Sequence, residues 1–319
     1  MNADERFELI KRNVAEIITE ENLKDLLRKK KKPVAYCGYE PSGPMHLGHF
    51  VTVLKLMDLE KAGFHVKILL ADIHALLNRK GSEDEIKKEV IGWKKTIKAI
   101  GVNAEVVLGS DFEFSKEYQL DVMRLAQNLT LNRGLRGMQE IARDVENATI
   151  SQLWYPLMQV VDIKYLGIDV AVGGMEQRKI HMIGRETENI LGHKFIAFHM
   201  PLITSLKGPG EKMSKSIEGS WIAVTDSKER INNVLKRAYC PEKIVENNPI
   251  LQICKLIIFP LLDKLEIKRA EKFGGDLEYK DYNDLERDFA GGKLHPLDLK
   301  NSVAFALEKI IAPIRKNFK

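Results

Sequence analysis

Two short clusters in this 319-residue chain carry residue types suited to handling phosphate. His46-Leu47-Gly48-His49 sets two imidazoles at i and i+3, on one face of a helix, and Gly43 and Gly48 let a ligand approach the backbone closely. A helix start at this point would add unpaired backbone N–H groups and the positive pole of the helix dipole, both of which attract phosphate. The second cluster is Lys212-Met213-Ser214-Lys215-Ser216, directly after Gly208-Pro209-Gly210, whose composition predicts a surface loop. Mobile lysines beside small hydroxyls suit a polyphosphate that must be gripped and then released. Taken singly, the first cluster also reads as a capped, packed helix start and the second as a solvated loop. Their combination in this order, about 165 residues apart, is far more specific.

The elements that must position these clusters follow from the apolar pattern. Pro33 to Tyr39 is a short apolar run that predicts a buried strand, and Met45 to Ala62 predicts a helix with Leu47, Phe50, Val51, Leu54, Met57 and Leu59 as its apolar set and Gly63 as its stop. Val66 to Ile73 predicts a second strand. Ser82-x-x-Glu85 is a capping box for a helix with Ile86, Val90, Trp93, Ile97 and Ile100 inside, and Ala104 to Ser110 predicts a third strand. Strand and helix alternating in this way form half of a doubly wound nucleotide fold. Helical segments over about 113–165 come next, then the strand IDVAVGG, a helix from Met175 to Leu191 and the apolar run FIAFHMPLIT, which supply the second half. The fold class is therefore α/β, with a doubly wound (Rossmann-like) parallel sheet over 1–204, a loop and linker over 205–225, and a mainly helical, basic C-terminal domain over 226–319.

Composition agrees with a large α/β core: 44% of residues are hydrophobic and 30% charged. No apolar run reaches membrane-spanning length and the N-terminus MNADERFELIKRN is too charged for a secretory signal, so a cytoplasmic address is expected. Cys37, Cys240 and Cys254 are odd in number and lack ligand spacing; reduced, packed thiols without disulfide or structural metal are expected. The formal net charge of +5 permits an acidic partner such as nucleic acid without requiring one.

With both clusters placed, the sequence resembles the class I aminoacyl-tRNA synthetases, His46-Leu47-Gly48-His49 matching the HIGH signature and Lys212 to Ser216 the KMSKS signature. It is most similar to the archaeal-type tyrosyl-tRNA synthetases, through GYEPSGPMHLGH, LLADIHALLN, YPLMQVVDIKYLGIDVAVGGMEQRKIHM, KRAYCP, EKFGGDL and HPLDLKN. The resemblance implies activation of tyrosine by ATP, with Mg²⁺, to tyrosyl-adenylate, then transfer to the terminal ribose of tRNA(Tyr). It implies a tyrosine pocket of Tyr36, Tyr155, Gln159, Asp162 and Gln177; Tyr155, Gln159 and Asp162 fall at i, i+4 and i+7, on one helix face. A carboxylate that only accepts and a hydroxyl that can donate together satisfy a phenol, which both donates and accepts. Read alone, Asp162 would be an exposed helix carboxylate and Tyr155 a core aromatic. For ATP the resemblance implies catalytic His46, His49, Lys212 and Lys215, with Glu40, Gly43, Gly48, Gly174, Glu176, Met213, Ser214 and Ser216 around the nucleotide. Gly173 allows a further close backbone approach, and His74 is either pocket or core.

For tRNA, the resemblance implies Phe273, His295 and Asp298 at the first anticodon base and Arg178 at the acceptor end, with Arg133, Arg136 and Arg143 as a basic face. A turn aromatic and an N-cap aspartate are the plain alternatives for Phe273 and Asp298. The chain ends without the RNA-binding appendage of bacterial relatives, which fits the archaeal type and implies a homodimer. A tryptophanyl-tRNA synthetase shares fold and signatures, but Tyr36 opposite Asp162 favours phenol over indole, which accepts no hydrogen bond. A small-molecule nucleotidyltransferase would need neither the second signature nor the basic domain. A noncatalytic RNA-binding protein would leave both signatures idle.

Overall fold

The computed structural model describes residues 1–141, 147–210, 213 and 217–318; Arg143, Lys212, Ser214, Lys215 and Ser216 lie outside the described residues. The chain opens with α1 (Ala3–Lys11), β1 (Glu16–Ile18), α2 (Glu20–Lys29), β2 (Val34–Tyr39), α3 (Leu47–Lys61) and β3 (His65–Leu70). It continues through α4 (Asp72–Leu77), α5 (Glu83–Ile100), β4 (Glu105–Leu108), α6 (Lys116–Asn128), α7 (Leu131–Met138) and α8 (Ile150–Tyr165). Then come β5 (Val170–Gly174), α9 (Arg178–Glu186), α10 (Glu188–Leu191), β6 (Ile196–Met200), α11 (Lys228–Arg237) and α12 (Pro249–Ile253). The last elements are α13 (Phe259–Leu261), β7 (Leu265–Ile267), β8 (Leu277–Tyr279), α14 (Tyr282–Ala290) and α15 (Pro296–Asn317).

Two compact units form. One comprises Met1–Pro44, Thr52–Lys94 and Val102–Pro201, the other Met45–Val51, Lys95–Gly101 and Leu202–Lys319. The first is built on a six-stranded sheet in the order β1-β6-β5-β2-β3-β4. β2 pairs in parallel with β3 on one side (Ala35 opposite Val66) and with β5 on the other (Ala35 opposite Val170). The chain thus reverses its winding direction at β2, and open α/β sheets bind ligands at the carboxyl ends of strands at such a point. The expected parallel sheet holds for five strands. β1 corrects it: Glu16–Ile18 runs antiparallel to β6 at the edge, with Ile17 opposite Phe198. Three residues that never become fully buried carry no alternation to betray a strand.

Helix α8 is held firmly within this unit. Its entry is a capping box, the Thr149 N–H donating to Gln152 Oε1 at 3.0 Å. Leu157, Val160, Val161 and Ile163 are buried in a core shared with Val122 and Leu125 of α6 and with Ile180 and Ile183 of α9. Each such side chain contributes roughly 1.5–3 kcal/mol relative to exposure, so the polar side chains on α8 are carried into the interior by their apolar neighbours. The expected single helix over Met175 to Leu191 is a 3₁₀ turn, Met175–Gln177, followed by α9 and α10, which part at Thr187.

The second unit is largely helical, with Leu235, Ile250, Leu251, Ile257, Leu285, Phe289, Leu299, Val303, Leu307 and Ile311 fully buried. It also contains a short antiparallel hairpin, β7 with β8, pairing Leu265 with Tyr279. Strands of three residues leave too few positions for a period of two to register in the sequence.

Candidate functional site

The polar residues expected on α8 lie in the first unit within a buried polar cluster. Asp162, expected to be exposed when considered alone, is 1% exposed. Its Oδ1 accepts from the Tyr118 hydroxyl at 2.7 Å, and its Oδ2 faces His74 Nε2 at 3.5 Å. Burial pushes the Asp162 carboxyl up, Glu113 adding to the effect, while His74 and Tyr118 oppose it. Tyr36, on β2, is buried near enough that Asp162 joins burial in raising its phenol well above the usual value. The Tyr155 ring meets His74 edge-on, centroids 4.7 Å apart. The Glu40 carboxylate joins burial in raising the Tyr155 phenol well above its usual value, accepts from Asn78 Nδ2 at 2.9 Å and lies 3.7 Å from Lys80 Nζ. Gln159 Nε2 donates to Gln177 Oε1 at 3.1 Å, and Gln177 Nε2 donates to Glu176 Oε1 at 3.3 Å. Gln159 Oε1 and Asp162 Oδ2 are buried atoms with no hydrogen-bond partner among the described residues. Polar atoms left in this state call for a ligand or water.

Gly174 allows Glu176 its position, because a Cβ there would lie 2.1 Å from Glu176 Oε2. His74, open between pocket and core in the sequence, is buried in this polar cluster. With Glu113 and Asp162 it offers three donor atoms within 4.8 Å of one another, a spacing open to a metal ion and equally to an imidazolium between two carboxylates.

The histidine signature lies in the second unit. The expectation of open backbone N–H groups at the start of α3 is corrected here. His46 precedes the helix and folds its ring back, so that Nδ1 accepts from the Gly48 N–H at 3.1 Å, while His49 Nδ1 accepts from the His46 N–H at 3.3 Å. The Leu47 N–H donates to the Ile222 carbonyl at 3.0 Å. Gly48 is required for this, since a Cβ would sit 3.0 Å from the His46 ring. The rings stack with centroids 3.8 Å apart. Burial lowers both imidazoles, His46 to about 4 and His49 well below its usual value with His46 contributing. Both are therefore neutral near pH 7, and with Nδ1 accepting, the ring proton is on Nε2.

Residues following the second cluster meet the first within this unit. His46 forms a β-bridge with Ala223, and the Val224 N–H donates to the Met45 carbonyl at 3.0 Å. Residues just downstream of the lysine cluster are thus bonded to the histidine cluster. Met213 Sδ lies 3.7 Å from the position a Cβ would take on Gly48.

A family model described as tRNA synthetases class I (W and Y) matches residues 28–312. The tyrosine–tRNA ligase of Methanocaldococcus jannaschii is 52% identical over 313 residues, 98% of this chain and 99% of that protein. That of Methanococcoides burtonii is 50% identical over 315 residues, 98% of each. The crystal structure of tyrosyl-tRNA synthetase from Archaeoglobus fulgidus complexed with L-tyrosine superposes with a TM-score of 0.95 at 47% identity, covering 100% of both chains. The chain belongs to the class I tyrosyl-tRNA synthetases. The parallel β-strands and their flanking helices are accordingly the sheet of this synthetase family.

The RNA-facing candidates of the synthetase fare unevenly. Phe273 is 61% exposed, at the end of the 3₁₀ turn Glu271–Phe273 between β7 and β8, with Lys272 Nζ 5.0 Å from its ring centroid. Arg269 ties that connection to the start of α15, donating to the Gly275 carbonyl at 2.6 Å and the Lys293 carbonyl at 2.9 Å. Phe273, His295 and Asp298 thus belong to one end of the second unit. The N-cap of α15 is His295, whose Nδ1 accepts from the Leu297 N–H at 3.2 Å; Asp298 is not the cap. Arg178 is engaged by Glu16 through bonds of 2.8 and 3.0 Å, and Arg133 by Glu186 through bonds of 2.9 and 2.8 Å, while Arg136 is exposed. Glu16 also accepts from His199 at 2.7 Å, and His199 meets His181 at 3.0 Å, so Arg178 is the outer end of a chain leading inward.

The sequence reading missed Glu113, Tyr118 and Asn78 in the pocket and Glu16 beside Arg178. No local pattern marks them, since each acts through partners distant in sequence.

Proposed function

We propose that the chain is a tyrosine–tRNA ligase that activates L-tyrosine with ATP and transfers the tyrosyl group to the 3′-terminal adenosine of tRNA(Tyr). The observation that carries the substrate assignment is the pair of buried acceptors on α8, Asp162 Oδ2 and Gln159 Oε1, neither hydrogen-bonded among the described residues. A tyrosine has a phenol donor for the first and an ammonium donor for the second. Tyr36 donates to the phenol oxygen, Tyr155 joins Gln159 and Gln177 at the ammonium end, and Glu40 lies near Tyr155. Phenylalanine, with no hydroxyl, would leave Asp162 Oδ2 and Tyr36 without the hydrogen-bond partner at the phenol position that tyrosine supplies, which discriminates strongly against it.

In the activation step an oxygen of the substrate's own carboxylate bonds to the α-phosphorus of ATP, the bond from that phosphorus to the β-phosphate bridging oxygen breaks, and pyrophosphate leaves with the electron pair. The enzyme supplies no nucleophile. It aligns the reactants and stabilises charge on the phosphate oxygens. His46 and His49 serve as neutral Nε2–H donors, and the permanent positive charge comes from Lys212 and Lys215, aided by Met213, Ser214 and Ser216. ATP enters as its Mg²⁺ complex, the ion belonging to the polyphosphate. Glu176 takes the ribose hydroxyls, with Gly43, Gly48, Gly173 and Gly174 allowing close approach. In the second step the terminal ribose hydroxyl attacks the tyrosyl carbonyl and AMP departs.

Phe273, His295 and Asp298 read the first anticodon base, and Arg178 serves the acceptor end with Glu16 setting its orientation. Leu120 and Met123, one turn apart on α6 and exposed with neighbouring Phe114, support a homodimer. No helix among the described residues is long and apolar enough to cross a membrane, and the proposed activity has a cytoplasmic address.

Pyrophosphate exchange into ATP with each of the twenty amino acids tests the assignment. Exchange is expected with tyrosine, far less with phenylalanine and none of note with tryptophan. A tryptophan-first profile would overturn it, and exchange without any amino acid would point to a different nucleotidyltransferase.

A further inference from the structure

Glu113 is fully buried, and among the described residues neither of its carboxylate oxygens receives a hydrogen bond. An ionised carboxylate in such a place takes a proton unless a cation balances it. The balancing group is His74 on α4, whose Nδ1 lies 3.4 Å from Glu113 Oε1. On the opposite side of the same ring, Nε2 lies 3.5 Å from Asp162 Oδ2. Ionised carboxylates only accept, and a neutral imidazole donates from one nitrogen alone, so a ring set between two carboxylates is satisfied only as imidazolium. The site is also built for this carboxylate. A Cβ on Gly109 would lie 2.3 Å from Glu113 Oε1, so the glycine makes the niche the side chain occupies. The Glu113 carbonyl is fixed by Gln119 Nε2 at 2.6 Å.

We propose that Glu113, acting through a protonated His74, is a positioning residue for tyrosine selection that fixes Asp162 as the ionised acceptor at the phenol end of the pocket. This rests on the reading above that Asp162 meets the phenol. The logic is electrostatic. Two carboxylates alone would share a proton, and Asp162 would become a donor for part of the time. The imidazolium between them works against the burial that pushes the Asp162 carboxyl up, and Tyr118 fixes the orientation of Asp162 through Oδ1. The titratable groups around His74 come from every side: Glu113 before α6, Asp162 and Tyr155 on α8, Tyr118 on α6, Tyr36 on β2, and Glu40 after it with Lys80 alongside. Burial pulls the His74 imidazolium down, but Glu113, Asp162 and Glu40 together reverse this and raise it to about 9. The imidazolium is accordingly present through neutral pH and lost as pH rises through that value.

The test compares full-length wild type with Glu113→Gln, which keeps shape and removes charge, and Glu113→Asp, which keeps the charge. Tyrosine-dependent pyrophosphate exchange is measured over pH 6.5 to 10. Glu113→Gln should raise the KM for tyrosine about tenfold at pH 8 with kcat within about twofold. It should also move the alkaline fall in kcat/KM down by about one pH unit or more, because His74 loses the charge that holds its proton. The substrate ammonium titrates identically in all variants, so displacement between variants is the readout. Glu113→Asp should keep the wild-type position of the fall. A Glu113→Gln profile superimposable on wild type would overturn the proposal and leave Glu113 a filler of space. Tyrosine binding by equilibrium dialysis without ATP adds a second check. If binding is lost after chelation and restored by zinc, the cluster is a metal site and the imidazolium is wrong. Asp162→Asn separates the two readings: retained selectivity for tyrosine over phenylalanine removes the phenol assignment and this proposal with it, whereas lost selectivity beside an unshifted Glu113→Gln profile removes this proposal alone.

Discussion

Asp162→Asn is the sharpest perturbation of the proposed chemistry, because it changes one buried atom's character without changing shape. In the wild type the carboxylate accepts from Tyr118 at 2.7 Å through Oδ1 and faces His74 through Oδ2. The amide oxygen retains the bond from Tyr118, and the amide nitrogen then takes the place of the oxygen facing the imidazolium and the phenol. A hydrogen bond to a charged group is worth roughly 1.5–3 kcal/mol more than leaving the donor unmatched, which converts to a loss of about 10- to 150-fold in kcat/KM for tyrosine. Phenylalanine makes no such bond and in the wild type strands a buried charge; a buried amide is less costly to strand, so its kcat/KM should hold or rise. The selectivity ratio should therefore fall by at least about tenfold, the loss in tyrosine adding to any gain in phenylalanine. Steady-state pyrophosphate exchange with both amino acids gives the ratio, and thermal unfolding with circular dichroism controls for the fold. A folded variant whose ratio stays within about twofold of wild type would refute the placement of the phenol against Asp162.

Three further outcomes are expected. His49→Ala should slow adenylate formation at least about tenfold in stopped flow while leaving tyrosine binding by equilibrium dialysis little changed, since its donor acts mainly on the transition state; equal damage to both would make the residue structural. The folded protein holds His46 and His181 neutral, lowered by burial to about 4 and about 3, whereas the unfolded chain protonates them near pH 6.5, so the thermal midpoint should fall as pH drops from about 6.5 to 4; a flat midpoint across that window would contradict their burial as neutral groups. Asp298→Ala should cost roughly 1–3 kcal/mol in discrimination at the first anticodon base, measured by aminoacylation of substituted transcripts, with tyrosine exchange unaltered; undiminished discrimination would place the anticodon contact elsewhere.

What the sequence made legible, and what it hid, follows the range of the interactions involved. β2, α3, β3 and α5 announce themselves through local periodicity and caps, whereas Asp162, which read alone would be an exposed helix carboxylate, is marked only by the family resemblance. Glu113 was invisible because its partner His74 and its fellow carboxylate Asp162 lie 39 and 49 residues away, and a glutamate before a helix reads as surface. The antiparallel β1 and the β7–β8 hairpin are three residues long each, below the length at which alternation can be distinguished from chance. Arg178 was legible as a cation and not as a partner, because Glu16 meets it across 162 residues of chain.

The signature histidines show why residue type and spacing alone leave the chemistry underdetermined. The i, i+3 spacing at a helix start suggests an anion held by open backbone N–H groups and, if protonated, by the rings. In the folded chain the rings themselves cap the backbone, and this capping uses the Nδ1 lone pair of each. A ring whose Nδ1 accepts while burial keeps it neutral has a single proton, on Nε2, with a fixed direction. The pair therefore contributes oriented donors and no net charge. Such donors strengthen as charge builds on a phosphate oxygen and hold the ground-state anion less tightly than cations would, which suits a site that must favour the transition state over the bound nucleotide. Permanent positive charge is assigned in this reading to Lys212 and Lys215. Replacing His46 by lysine would put a buried charge where a directed neutral donor stands and would deprive the Gly48 N–H of its acceptor, so a basic residue is not a conservative change there even though the ligand is an anion.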